Sequence, residues 1–282
     1  MFRRNEPAKS FDGATPAQRA HVKIDGGPLI NEIFVAATTG GSAAAAADIE
    51  YIEVKIGSDT KFKLSGAQIV LLEDYHNRTV TSGTFPVTFA DITMTEPQDQ
   101  LASSLTTRAG EDIELAVKSA AAVTASVAFL GDLEVADYGI DDDGNIAPVA
   151  KLQPRVRFLQ LKGGPAGEVI IDNVHQLKDG GEWIKRIHFG NGSTDYITNV
   201  KVIRDNETLF DRSVANMRMD AKRHGKDPQA NYVHFDTCLN GNAEEMLNTE
   251  HKKHLRFVLT LSTAMTDIPA IIETVERNPN VA

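Results

Sequence analysis

Residues 49–76 read IEYIEVKIGSDTKFKLSGAQIVLLEDYH, and residues 197–224 read ITNVKVIRDNETLFDRSVANMRMDAKRH. Placed on each other without a gap, at an offset of 148 residues, the two stretches share 7 identities in 28 positions. The identical residues of the first stretch are Ile49, Val54, Thr60, Phe62, Ser65, Ala67 and His76. The chain therefore carries an internal repeat, with a chance likeness between strand-like segments as the alternative.

Each copy of the repeat predicts two strands followed by a helix. Apolar and polar residues alternate over 52–56, which is the period of a half-buried strand. Ser65 and Gln68 have the spacing of a capping box, in which the two side chains satisfy backbone N–H groups at the start of a helix. Ser213 begins the second helix in the same way, with a weaker cap.

The repeat extends on both sides of these stretches. Three further segment pairs align in the same order: 22–28 with 159–165, 86–89 with 232–235, and 113–117 with 255–259. A repeat of about 140 residues exceeds the 20 to 50 residues of a solenoid unit and has the size of a domain. Many short alternating strands separated by turn residues favour antiparallel sandwiches. The sequence predicts an all-β chain with an arm at 1–20 and two tandem sandwiches at 21–150 and 151–282, each with one short helix in the same loop.

Composition excludes several classes of protein. Lys and Arg number 29 against 39 Asp and Glu, so the net charge is −10, and such a surface repels nucleic-acid phosphates on average. We expect no direct nucleic-acid partner. Cys238 is the single cysteine, which is typical of a chain folded in a reducing compartment. No secretory signal and no membrane span is predicted from the sequence.

The search for catalytic motifs is negative. The sequence lacks G-x-S-x-G, H-E-x-x-H, C-x-x-C and a phosphate-binding glycine loop, so an enzyme is not expected. One acidic run could hold a hard cation, because clustered carboxylates beside a turn glycine supply oxygen ligands. Its members, Asp141, Asp142 and Asp143, are candidate calcium ligands, although they do not match the EF-hand pattern. A solvated linker is the alternative.

Five segments carry a resemblance to a known family. They are FDGATP at 11–16, IDGGPLINEIFV at 24–35, LSGAQIVLLEDY at 64–75, WIKRIHF at 183–189 and KRHGKDPQANYVHFDTCLNG at 222–241. In these segments the sequence resembles the major capsid proteins of corticovirus-type, membrane-containing icosahedral bacteriophages, which are of the double jelly-roll lineage. The order and number of the segments carry the resemblance, since none is a mechanistic motif.

The resemblance implies a structural function. It implies two tandem jelly rolls in each chain and a homotrimer with a pseudo-sixfold outline that tiles the capsid over an internal lipid membrane. The implied partners are other copies of the chain, further capsid proteins such as a penton, and the viral membrane or its proteins. The implied location is the virion, assembled in the host cytoplasm. Some members of the family are thought to use calcium, which adds interest to Asp141–Asp143.

The main alternative is a tandem β-sandwich binding module, such as a virus spike or a domain that recognises carbohydrate on a host surface. Sugar sites expose aromatic platforms, whereas this chain has one Trp and five Tyr, and the pattern around Trp183 predicts a buried side chain. A β-sandwich hydrolase would need two carboxylates about 5 to 10 Å apart, and no pair in the sequence stands out for this role.

Overall fold

The computed structural model describes residues 3–6, 11–12, 17–26, 29–39, 41–91, 93–96, 104–107, 110–120, 127–136, 139–140, 146–147, 152–172, 182–249 and 255–277. The chain divides into two units. Unit 1 comprises Met1–Glu73, Arg78–Arg157 and Asn278–Ala282, and unit 2 comprises Asp74–Asn77 and Phe158–Arg277.

The described part of unit 1 consists of short strands and one α-helix. The strands are β1 (Arg3–Glu6), β2 (Arg19–Asp25), β3 (Leu29–Thr39), β4 (Ser42–Ala43), β5 (Ile49–Ile56), β6 (Asp59–Leu64), β7 (Thr84–Thr88), β8 (Leu105–Thr106), β9 (Asp112–Ser119), β10 (Val127–Ala136), β11 (Gly139–Ile140) and β12 (Ile146–Ala147). Helix α1 (Gly66–Tyr75) follows β6, and a 3-10 helix (Ala46–Asp48) precedes β5. One sheet has the order β1-β10-β3-β7 and the other β2-β9-β5-β6. The short strands β4 and β8 also pair with β3.

Unit 2 repeats this plan. Strand β13 (Leu152–Gly164) begins in unit 1 and enters unit 2 at Phe158. The other strands are β14 (Gly167–Ile171), β15 (Glu182–Gly190), β16 (Ile197–Arg204), β17 (Glu207–Ser213), β18 (Tyr232–Asp236), β19 (Leu247–Asn248), β20 (Arg256–Leu261) and β21 (Met265–Arg277), with helix α2 (Val214–Arg223) after β17 and a 3-10 helix (Ala243–Glu245) before β19. The sheet orders are β13-β21-β15-β18 and β14-β20-β16-β17.

The two sheet orders of unit 1 and unit 2 correspond strand for strand. Two four-stranded antiparallel sheets with this connectivity form a jelly roll, so the predicted tandem jelly rolls are confirmed. The offset of 148 residues places β5 on β16 and α1 on α2, and both elements of each pair begin at aligned positions. The prediction of an equivalent helix in each sandwich is also confirmed.

The upstream part of the predicted repeat is wrong. Residues 22–25 lie in β2, which pairs with β9, and the strand with the same place in unit 2 is β14, which pairs with β20. Residues 159–164 lie instead in β13, beside β21. The shared letters Gly-Gly-Pro reflect turn chemistry after a strand, and this chemistry recurs at turns that are not structurally equivalent.

Both predicted helix caps are present. The backbone N–H of Ser65 donates to Gln68 Oε1 at 2.8 Å, and the N–H of Gln68 donates to Ser65 Oγ at 3.3 Å, which completes a capping box. The Ser213 hydroxyl accepts from the N–H of Asn216. Among the described residues, no helix is both long and apolar enough to cross a membrane.

The core of unit 2 is formed by the inward faces of its two sheets. Phe257 packs edge-on against Phe235, with ring centroids 5.5 Å apart, and Met217 of α2 lies in the same cluster. Phe210 of β17 is partly buried and packs against this cluster from the edge. The apolar residues of the alternating pattern therefore lie on the inward, buried face of each sheet.

Candidate functional site

Charged and polar side chains form a buried cluster on one face of the sheet β18-β15-β21 in unit 2. Arg186 of β15 lies directly between Asp236 of β18 and Glu273 of β21 in the strand register. Two residues further along, His188 of β15 lies opposite His234 of β18. Because side chains two residues apart share a face of a strand, all five point to the same side. We call these five residues the polar cluster.

Arg186 forms the centre of the polar cluster. Its Nε donates to Asp236 Oδ2 at 2.8 Å, and its Nη1 lies 3.5 Å from Glu273 Oε2. The exposed fraction of Arg186 is 0%, and it heads the largest fully buried side chains among the described residues. The guanidinium lies between two buried carboxylates and supplies a counter-charge that both share.

The two histidines continue the network. His188 Nε2 lies 2.8 Å from Glu273 Oε1, and His188 Nδ1 lies 2.6 Å from His234 Nδ1. With both rings neutral, the carboxylate accepts from the Nε2–H of His188, and the Nδ1–H of His234 donates to His188. Tyr75 stacks on the His234 ring at a centroid distance of 4.3 Å. Its hydroxyl donates to Asp236 at 3.0 Å.

Burial and charge shift the titration of these groups. Burial lowers the pKa of His234 well below its usual value, and His188 and Arg218 lower it further. Burial alone would raise the pKa of Glu273, but Arg186, His188 and Lys185 outweigh it and hold the pKa well below the ordinary range. The cluster therefore contains a neutral His234 and a charged Glu273 at neutral pH.

Acidification is expected to destabilise unit 2 through His234. The folded state holds this imidazole neutral, whereas the unfolded chain takes up a proton below about pH 6.5, so the stabilisation is lost as the pH falls through that value. One such proton gives a slope of at most about 1.4 kcal/mol per pH unit. The urea midpoint should fall between pH 7 and pH 5, and the fall should be shallower in His234→Phe, which cannot titrate.

The exposed His224, at the end of α2, provides the control for this pH experiment. His224→Phe also removes an imidazole, but from an exposed position, so a change in slope confined to His234→Phe assigns the effect to the buried ring. Equal slopes in His234→Phe and the unsubstituted protein would contradict the role of His234. Loss of stability from Glu273 belongs to a lower pH window, since this carboxyl in the unfolded chain is half protonated only near pH 4.5.

Cys238 lies two residues after Asp236 of the polar cluster. Its backbone N–H donates to Asp236 Oδ1 at 2.8 Å, and its side chain is buried. Burial raises the pKa of the thiol to about 11. A buried thiol of this kind is a poor nucleophile at neutral pH.

The polar cluster is suited to fixing strands, not to chemistry on a substrate. Each of its five members takes part in hydrogen bonds or ion pairs within the cluster, and the central residues are closed to solvent. In the parts of the chain that the structure describes, no group of three or more His, Cys, Asp or Glu is arranged to hold a metal ion. The cluster joins three neighbouring strands at one register, and a one-residue slip would separate every pair.

The candidate sites predicted from sequence lie elsewhere. The calcium candidates Asp141, Asp142 and Asp143 fall outside the described residues, so they stay a prediction. Trp183 is half-buried, not fully buried as its pattern predicted. Sequence reasoning missed the polar cluster, although WIKRIHF and YVHFD carry a signal for it: charged and imidazole side chains at alternate positions inside apolar strands.

Comparison with known protein families covers most of the chain. The model of the viral coat protein P2 N-terminal domain matches residues 5–135, and the model of the viral coat protein P2 C-terminal domain matches residues 153–278. None of the curated proteins compared with the chain matches it.

Solved structures share the fold at low sequence identity. The major capsid protein P2 from bacteriophage PM2 superposes with a TM-score of 0.83 and 16% identity, over 100% of both chains. The STIV MCP gives a TM-score of 0.68 and 15% identity over 98% of this chain and 97% of that one. The Faustovirus major capsid protein gives 0.57 and 8% over 98% and 90%. With the two halves of one family matched in order along the sequence, this chain belongs to the viral coat protein P2 family.

Proposed function

We propose that this chain forms homotrimers with a pseudo-sixfold outline that tile an icosahedral viral shell. Membership of a coat protein family makes it a structural component of a virion capsid, not an enzyme. The observation that supports the trimer is the duplication: each chain contains two jelly rolls with the same strand order. Three copies around a threefold axis bring together six similar units, and such a building block fits a hexagonal lattice.

The proposal extends to the surroundings of the trimer. The partners are other copies in the lattice, a penton protein at the vertices, and the internal membrane or its proteins, with assembly in the host cytoplasm. The net charge of −10 supports contacts with proteins over direct contact with packaged nucleic acid. The resemblance to capsid proteins of membrane-containing bacteriophages supports the membrane as the inner partner.

The solution mass of the purified protein tests the proposed trimer. Light scattering after size exclusion should give about three times 30.7 kDa, with hexagonal outlines by negative-stain electron microscopy. An obligate interface between subunits buries more than about 2,000 Å², so the trimer should survive dilution to the micromolar range. A monomer at every concentration would contradict the proposal and would favour the binding module.

Calcium is part of the same proposal. Asp141, Asp142 and Asp143 would supply carboxylate oxygens to a structural ion in the trimer. The trimer should dissociate in a calcium chelator and re-form when calcium, but not magnesium, is added back. The variant with all three residues changed to Asn should lose this response. A trimer that is indifferent to the chelator would exclude a calcium requirement and leave the shell function intact.

A further inference from the structure

Two strand edges, one in each unit, share an unusual property. Strand β1 lies at one end of its sheet in unit 1, and β17 lies at one end of its sheet in unit 2. Among the residues that the structure describes, no strand pairs with the outer edge of either. An edge strand presents a row of backbone N–H and C=O groups that another chain can pair with.

The counterparts of these two strands pair with each other. Strand β6 occupies the place in unit 1 that β17 has in unit 2, and β13 lies beside β21 as β1 lies beside β10. Within unit 1, the first part of β13 pairs in parallel with β6, with Val156 opposite Phe62 and Arg157 opposite Lys63. The edge of β6 is therefore paired with β13, whereas the equivalent edge of β17 has no paired strand among the described residues.

Burial differs between the two edges accordingly. On β6, the exposed fraction of Lys61 is 3% and that of Phe62 is 1%. The aligned residues of β17 are Leu209, which is 37% exposed, and Phe210, which is half-buried. Leu209 is one of four exposed large apolar side chains among the described residues, and a strand paired with β17 would cover it.

The charges of β17 and β1 are opposite, as are those of the ion pair that joins β6 and β13. Arg155 of β13 contacts both carboxylate oxygens of Asp59 on β6 at 2.9 Å. The repeat places Glu207 of β17 on Asp59, and Glu207 is exposed. By sequence, β1 (RRNE) carries a net positive charge, whereas β17, with Glu207 and Asp211 against Arg212, carries a net negative charge.

We propose that β17 of one copy pairs in parallel with β1 of a second copy. This inference rests on the proposed trimer and names the contact that closes it. The contact joins different surfaces of the two chains, so it is heterologous and repeats head to tail until the ring closes at three copies. Each trimer then contains six similar strand pairs, three of β6 with β13 inside the chains and three of β17 with β1 between them.

Cysteine cross-linking between co-expressed full-length chains tests this contact. One chain carries Asn5→Cys on β1 and the other Leu209→Cys on β17, and a bismaleimide of about 10 Å spans neighbouring strands with a register offset of one or two residues. The product should be a covalent dimer of twice 30.7 kDa on a denaturing gel. The buried Cys238 should give no background in the unsubstituted chain.

The other edge of the same sheet supplies matched controls. Ile170 lies on β14 and is 57% exposed, so Asn5→Cys co-expressed with Ile170→Cys should give no dimer.

Charge reversal provides a second test of the same contact. Glu207→Lys should weaken trimer formation several-fold at low salt and less at high salt, whereas Glu168→Lys on β14 should leave trimer formation unchanged.

The outcomes separate the two proposals. A trimer by light scattering that gives no β1–β17 dimer, or equal dimer at β14, would overturn the strand pairing and leave the trimer in place. A monomer in solution would overturn both. Dimer specific to Leu209→Cys, together with weakening by Glu207→Lys alone, would establish the pairing.

Discussion

Replacing Arg186 by Ala should destabilise the protein by about 3–5 kcal/mol, because the change removes one partner of a buried ion pair and leaves the others behind. Asp236 and Glu273 would then face each other across β15 without a cation between them. Both carboxylates are buried, so water cannot replace the guanidinium at low cost. The effect should appear in the midpoint of urea unfolding at neutral pH and at one fixed protein concentration.

Two comparisons show whether the loss arises from unpaired buried charge. Arg212→Ala breaks an ion pair with Asp220 in which the arginine side chain is 51% exposed, and it should cost less than about 1 kcal/mol. Removing all three charges together, with Arg186→Met, Asp236→Asn and Glu273→Gln, keeps amide oxygens for the buried donors that bond to the two carboxylates, and it should recover part of the stability lost in Arg186→Ala. A triple variant no more stable than Arg186→Ala would contradict this account, and so would a loss in Arg186→Ala as small as that in Arg212→Ala.

Much of the fold could be predicted from the sequence because local signals agreed with each other. The alternation over 52–56, the capping residues Ser65 and Gln68, and their recurrence from residue 197 each specify structure within a few positions of the chain. Two copies of the same pattern reinforce a prediction that either copy alone would leave open. These local patterns do not themselves give the order of strands in the sheets. That order could be predicted only from the tandem sandwich architecture that the repeat implies.

Long-range pairing is where sequence reasoning failed. The polar cluster joins Arg186 to Asp236 and Glu273, which are 50 and 87 positions away along the chain. No local pattern states which charged residue of one apolar strand meets which residue of another, since register depends on the whole sheet. The wrong placement of 159–165 has the same origin, because a turn signal marks the end of a strand without saying which strand lies beside it.

The difference between Gly66 and Val214 shows how the two copies of the repeat have diverged. The repeat aligns these residues at the first position of α1 and α2. A side chain on Gly66 would meet the backbone carbonyl oxygen of Ala46, in the 3-10 helix of unit 1, and would also crowd Ile49. Glycine at this position is therefore a requirement of close packing, and not of an unusual backbone angle.

Changing Gly66 to Val, the residue of the other copy, should consequently destabilise the protein by about 2–3 kcal/mol, because a backbone carbonyl cannot move aside as a side chain can. The gain in helix propensity from Gly to Val is only a few tenths of a kcal/mol and does not offset this. Ala67→Val, at the next and exposed position of α1, is the matched control and should cost less than about 1 kcal/mol. Thermal and urea unfolding of the three proteins measure the difference. If Gly66→Val were as stable as Ala67→Val, the 3-10 helix must be able to shift and accommodate the valine side chain. The close contact with Ala46 would then not explain the glycine at this position.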